Sequence, residues 1–516
     1  MKRSMKAFLG GILMLAFVPA SLMALNVVYT NNDLTAANTV SAYSVDTNGT
    51  MSILATYSTG GKGTAGSLYS ADRIIIVKTS LNNTFLYASN AGSNDVSGFA
   101  LDPTTGALTL VSPTPYPTGT YNDGYESGIS LAATPDGKYL YAGSTGFSGQ
   151  ITIFQIDPST GALTANPTLM QADGPMTSMK VSPTGGLLVA AIKDYDEIQT
   201  FKIGSNGALA KVGATFGTAP FTGVDVDCAG THLYAGAAGP NVQVFSIDPS
   251  TGALTYLSSS PPVGTISSNQ VVRLSPDDSV LYASNQGSHS VTAFNVDSTS
   301  GALTGGTAVG TGDQYAYPGG LAVNADGTFL YAGSAQPALT VFGLGGVVPF
   351  VRDSYNALAP QTYGMLSVAA YPPKACSVPT SLSATLEVSA GPPPSFDLSG
   401  TFDLGSGGAA DPLTQPVTLA IGDYSVTIPA GSFTMHQDGT NAGIYVFQGV
   451  IAGTTLKVQI TALGSNQFQI LAFGKQVDLA GLANPVLVQV TIDSSSSGGT
   501  ITATETDSLR GLWTAQ

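Results

Sequence analysis

The stretch Ser275–Thr304, SPDDSVLYASNQGSHSVTAFNVDSTSGALT, sets the pattern that the rest of the chain repeats. Ser275-Pro276-Asp277-Asp278 reads as a tight turn, Leu281-Tyr282-Ala283 as a short apolar strand, and the Gly/Asn run after it as a loop. Val291-x-Ala293-Phe294-x-Val296 alternates with the period of a half-buried strand, and a turn at Gly301 launches Ala302-Leu303-Thr304. Three strands joined by turns make a β-meander, which cannot bury both of its faces alone.

Copies supply the missing neighbours. The Tyr of the first strand recurs at Tyr29, Tyr87, Tyr141, Tyr234, Tyr282 and Tyr331, with Val189 standing in once, at gaps of 45 to 58 residues. That is the repeat length of propeller blades and exceeds that of most helical solenoids. The second turn recurs as DPTTGAL (Asp102–Leu108), DPSTGAL (Asp157–Leu163 and Asp248–Leu254) and DSTSGAL (Asp297–Leu303). Asp accepts backbone N–H bonds, Pro presets φ, and Gly supplies φ > 0 where the chain turns back. Seven copies predict seven blades. The first copy lacks an inner strand before Val27-Val28-Tyr29, and the chain writes one at Gly364–Ala369 after the seventh. That strand is expected to complete the first blade and seal the ring.

The fold class is therefore all-β: a seven-bladed β-propeller over 25–372, followed by a β-sandwich-like domain with internal duplication over 375–516. In the second region Leu382–Ile428 aligns with Leu456–Ala503, through a Leu-led strand, the pairs Asp403-Leu404 and Asp478-Leu479, and Pro416 and Pro485 before the next strand. Two copies of one strand set suggest a sandwich or two small β modules packed together. Ser494–Gly499 reads as a loop by composition. Residues 1–24 read as a signal peptide: Lys2, Arg3 and Lys6 precede an apolar run from Ala7 to Met23. No Cys follows it, so no lipid or membrane anchor is expected after its removal, and the protein is expected to be exported to the periplasm or beyond.

Only 9% of the residues are charged and the formal net charge is −15, with three of the cations in the leader. So acidic a surface repels polyanions and argues against nucleic-acid binding. Cys228 lies in a turn of the fifth copy and Cys376 follows the closing strand, nearly across the ring, which argues against a bridge between them. No cofactor or metal is expected, because neither cysteine has a Cys or His at ligand spacing and no Asp-x-Asp-x-Asp-Gly loop is present.

The blade phrase, SPDG-x-x-LYA-(S/G)-N followed by V-x-x-(F/Y)-x-(I/V)-DP-x-TGALT, resembles the seven-bladed lactonase family over roughly residues 26–372. That family includes the bacterial 6-phosphogluconolactonase of cycloisomerase type, and related surface propellers use similar repeats. The resemblance implies the propeller fold and, for the enzymes, a Ser-Asn-Arg-Gly-His run preceded by an inner-strand Arg. Here the run is Ser284-Asn285-Gln286-Gly287-Ser288-His289, preceded by Arg273. The family Arg is Gln286 and the His is displaced by one. A His that follows Gly-Pro in the enzymes is absent from Gly174-Pro175-Met176-Thr177.

Lactone hydrolysis needs a general base or activated water and a donor for the oxyanion. Arg273 is the candidate donor; Asp225, Glu126 and His289 are candidate bases. Counting inner strands back from their turns aligns Lys78, Ala132, Lys180, Asp225, Arg273 and Ala322. Their charges form either an anion site or pairs with nearby carboxylates, pairing being the default. A second candidate surface is the loop face, where Tyr121, Asp123, Tyr125, Asp194, Tyr195, Asp313, Tyr315 and Tyr317 cluster. Flat rings with hydroxyls beside carboxylates suit a glycan or peptide partner. Two functions follow: a non-catalytic binding module working through that face, or a hydrolase of unphosphorylated sugar or other small lactones.

Overall fold

The structure is a computed structural model. It describes residues 25–505 except 66–70, 120–127, 147–148, 167, 184, 193–195, 217–219, 249–250, 263–270, 313–317, 335–337, 345–348, 357–366, 375–382, 390–392, 404–410, 422–423, 438–442, 465–466, 478–485, 493–494 and 502–503. Every regular element among the described residues is a β-strand, and the first 350 or so residues build seven antiparallel sheets of the repeated meander. Blade 6, the copy quoted above, runs Val272–Leu274, Val280–Asn285, Ser290–Val296 and Leu303–Gly310 from inner to outer strand. The other blades follow the same order, and their inner strands neighbour one another around a closed ring.

Closure comes from the far end of the repeat region. Ser367–Tyr371 pairs antiparallel with Val27–Asn31 and becomes the inner strand of blade 1. Each seam between neighbouring blades holds its own apolar cluster, such as Tyr87, Val96, Leu131, Leu140 and Phe154 between blades 2 and 3. Burying side chains of this size contributes about 1.5–3 kcal/mol each.

The two most repeated features of the sequence meet across these seams. The Tyr29 hydroxyl donates to the Gly106 carbonyl of blade 2 at 2.7 Å, Tyr87 to Gly161 of blade 3 at 2.9 Å, and Tyr141 to Gly207 of blade 4 at 3.0 Å. Gly106 and Gly161 belong to the Asp-Pro-x-Thr-Gly turn, which in blade 3 Asp157 ties by accepting from the Ser159 and Thr160 amides, and Gly207 to the weaker copy Gly204-Ser205-Asn206-Gly207. At Gly161 φ is +73°, and an added Cβ would lie 2.3 Å from the Phe85 ring. Glycine is required there by conformation and by space. At the closing seam the pattern lapses: the buried Tyr331 hydroxyl has no hydrogen-bond partner among the described residues.

The C-terminal region forms a seven-stranded and a four-stranded sheet that share one apolar core, with Leu386, Phe396 and Ile470 from the larger and Leu419, Ile421 and Val488 from the smaller. The duplication is visible in the pairing. Ser395–Asp403 pairs with its copy Gln467–Lys475, and Val417–Ile421 pairs with its copy Val486–Ile492. Each central pair is flanked by the corresponding hairpin mates, so the copies interlock in one sandwich instead of folding as separate modules. Ser495–Ile501 is a strand paired with Val486–Ile492, where composition alone suggests a loop. Backbone bonds along that partner need no particular side chain.

Candidate functional site: the propeller channel

Alternation along each inner strand decides what faces the channel. Val272 and Leu274 enter the seam cores while Arg273 points inward; Val224 and Val226 do the same around Asp225. The residues opposite the repeated Tyr position are Ala369, Ile75, Ala132, Lys180, Asp225, Arg273 and Ala322. Lys78 does not belong to this level. Blade 2 has a longer hairpin, with Ile75 and Tyr87 paired twelve positions apart where Ala132 and Tyr141 are nine, so counting back from the turn stops short of Ile75. Lys78 is exposed beside the turn.

Within the ring lies a cavity of about 250 Å³, lined by Ile75, Lys180, Asp225, Arg273, Ala322 and Ala369. Asp72 also lines it, and so do Pro373 and Lys374 just beyond the end of the blade 1 inner strand. Lys374 reaches Asp278, in the turn of blade 6, at 3.3 Å, so this strap crosses the lower mouth. Cys228 is disulfide-bonded, and the chain's other cysteine is Cys376, which lies outside the described residues.

The other mouth is crossed by Ala71-Asp72-Arg73, the end of the connector from blade 1 to blade 2. The Ala71 amide donates to the Thr177 carbonyl and the Leu131 amide to the Asp72 carbonyl. The Arg73 amide donates to the Ser367 hydroxyl at 3.0 Å, and the Ala71 methyl joins the apolar cluster of blades 6 and 7. Adjacent residues of this extended segment point opposite ways. Arg73 forms a sealed ion pair with Asp33 at 2.6 Å, both side chains 1% exposed. Asp72 points into the channel.

There the Asp72 carboxylate collects donors from two blades. Its Oδ1 takes Lys180 Nζ at 3.2 Å together with Arg273 Nη2, and its Oδ2 takes the Ser178 hydroxyl at 2.6 Å. A bulge between Met176 and Ser178 aims that hydroxyl. Arg273 also donates Nε to the Leu321 carbonyl at 3.1 Å and Nη1 to the Val272 carbonyl at 2.8 Å. Burial would raise the Asp72 carboxyl, but the Arg273 and Lys180 charges and the Ser178 hydroxyl outweigh it and hold the group below its usual range. Burial and the Arg273 charge push the Lys180 ammonium below its own, against the pull of Asp72 and Asp225. Asp225 accepts from the Leu274 amide at 2.9 Å and the Val226 amide at 3.2 Å.

Arg273 and Asp225 thus share the cavity, whereas His289 is not among its lining residues. His289 closes a hairpin turn at φ +51°, its amide donating to the Gln286 carbonyl. Glu126 and the loop residues Tyr121, Asp123, Tyr125, Asp194, Tyr195, Asp313, Tyr315 and Tyr317 lie outside the described residues. On blade 4, Gln199 Nε2 bridges Asp173 at 2.7 Å and Glu197 at 3.1 Å, and Lys211 pairs with Asp173. Burial and the Asp173 carboxylate push the Glu197 carboxyl above its usual range. The sequence reading missed Asp72, the centre of the network, because it sits in a connector outside the repeat.

A family model described as Lactonase, 7-bladed beta-propeller, matches residues 15–178, 114–225 and 239–342. A comparison with curated protein sequences finds no match. Among solved structures, a Bacteroides fragilis protein provisionally named a 6-phosphogluconolactonase is 20% identical, with a TM-score of 0.54 over 68% of this chain and 99% of that one. The periplasmic gluconolactonase of Pseudomonas aeruginosa is 15% identical, with a TM-score of 0.52 over 67% of this chain and 98% of that one. At these identities the likeness establishes the fold.

Proposed function

From the premise that the chain belongs to the seven-bladed β-propeller lactonase family, we propose that it is an exported recognition propeller that binds a glycan, peptide or surface partner through its Tyr/Asp-rich loop face without hydrolysing lactones. The observation that carries this reading is the pairing of the channel cations with a carboxylate of the chain itself. Arg273 is bonded to Asp72 and two carbonyls, Lys180 to the same carboxylate, and no imidazole lines the cavity among the described residues. A developing oxyanion would have to compete with the Asp72 carboxylate for both charges.

One observation favours the second reading, hydrolysis of a small unphosphorylated lactone: the cavity sets Asp225 beside Arg273 and has about 250 Å³ of space. The experiment that separates the two is pH-stat hydrolysis of a panel of aldonolactones by the mature protein and its Arg273→Ala variant. Turnover at the spontaneous rate for both, with both folded, is the expected result. Turnover well above it that collapses in the variant would replace the recognition reading with a hydrolase.

A further inference from the structure

We propose that the channel holds a built carboxylate-binding site that Asp72 occupies in cis. Its donors come from the blades, and its occupant comes from a connector. Arg273 and Lys180 converge on one oxygen of Asp72 and Ser178 on the other, a set that matches a carboxylate in charge and in its two-oxygen geometry. The donors are held independently of what they hold. The Leu321 and Val272 carbonyls fix the guanidinium, and the Val224 amide donates to the Ser178 hydroxyl at 3.3 Å. Removing the Asp72 side chain would leave two inward-facing cations and a hydroxyl bordering existing space, a site for a small free carboxylate. Asp225 faces the same space and can accept hydroxyls, so hydroxy acids are the favoured ligand class.

This inference shares the Asp72-paired cations with the proposed function but does not depend on the loop face. Lactone turnover would overturn the recognition reading and leave the site standing; the experiment here measures binding alone. The full mature chain carrying Asp72→Ala is titrated with sodium acetate and with sodium glycolate, against sodium chloride at equal ionic strength and pH 7. Thermal unfolding and calorimetry are the readouts. The expected result is a Tm lowered relative to wild type and raised again by carboxylate, on the order of 5 °C at about 100 times Kd, with saturable heat. Wild type and Asp72→Asn, whose side chain still fills the site, should show no such response. Equal effects of chloride and carboxylate, or no response in Asp72→Ala, would overturn the proposal. If Asp72→Ala does not fold without ligand, its refolding yield is compared in acetate and chloride. Carboxylate-dependent recovery supports the site, and equal failure in both overturns it.

Discussion

Asp72 and Arg73 are neighbours in the chain with opposite charges and opposite fates. Arg73 meets Asp33 through Nη1 with 1% of either side chain exposed, and its Nε and Nη2 find no hydrogen-bond acceptor among the described residues. Asp72 meets Arg273 at the edge of a cavity, where nearly every polar atom on both sides is engaged. The sealed pair has no room to exchange its partner, so its worth is structural. The cavity pair is well bonded and replaceable, which is the combination a ligand site requires.

That contrast can be broken most forcefully at Arg73. Arg73→Ala leaves the Asp33 carboxylate buried without its counter-charge and is expected to cost about 3–5 kcal/mol in denaturant unfolding, with no recovery in acetate. A loss under about 1 kcal/mol would mean that the pair is not sealed in solution. Asp72→Asn is expected to cost less, about 1–3 kcal/mol at pH 7. Its pH dependence sharpens the comparison. The Asp72 carboxyl is held below its usual range, so its contribution is fully present above the unfolded value near pH 4 and is lost as pH falls through the folded one. Urea midpoints of wild type and Asp72→Asn should therefore keep their gap from pH 7 down to about pH 4 and approach each other below it; a gap that stays constant in acid would assign the loss to shape instead of charge.

The smallest effects test the same distinction without charge. Tyr87→Phe deletes a buried bond to Gly161 and should cost about 1 kcal/mol. Tyr331→Phe removes a hydroxyl with no partner among the described residues and should stay within about 0.5 kcal/mol of wild type or stabilise it. Equal losses at both positions would dissolve the difference between the bonded and the closing seams.

The fold was legible because its determinants repeat. Tyr87 and Gly161 are the two ends of one inter-blade bond, so the phrase carrying both must recur in register. The duplication after residue 375 was legible for a related reason, since its copies pair with each other. Arg273 and Asp225 could be read from strand alternation. Asp72 could not, because a connector has no period and its side chain is aimed by backbone bonds to Leu131 and Thr177, far away in sequence. Lys78 misled because one longer hairpin breaks the count from turn to channel.

That strap alters how the molecule carries load. Pro373 and Lys374 run from the closing strand across the channel floor, with Lys374 on blade 6. Cys228, in the neighbouring blade 5 turn, is disulfide-bonded, and its amide donates to the same Asp278 carboxylate. A pull arriving along the strap therefore meets the Lys374–Asp278 ion pair before it reaches Ser367–Tyr371. The strand that closes the propeller shares that tension with the turn of blade 6.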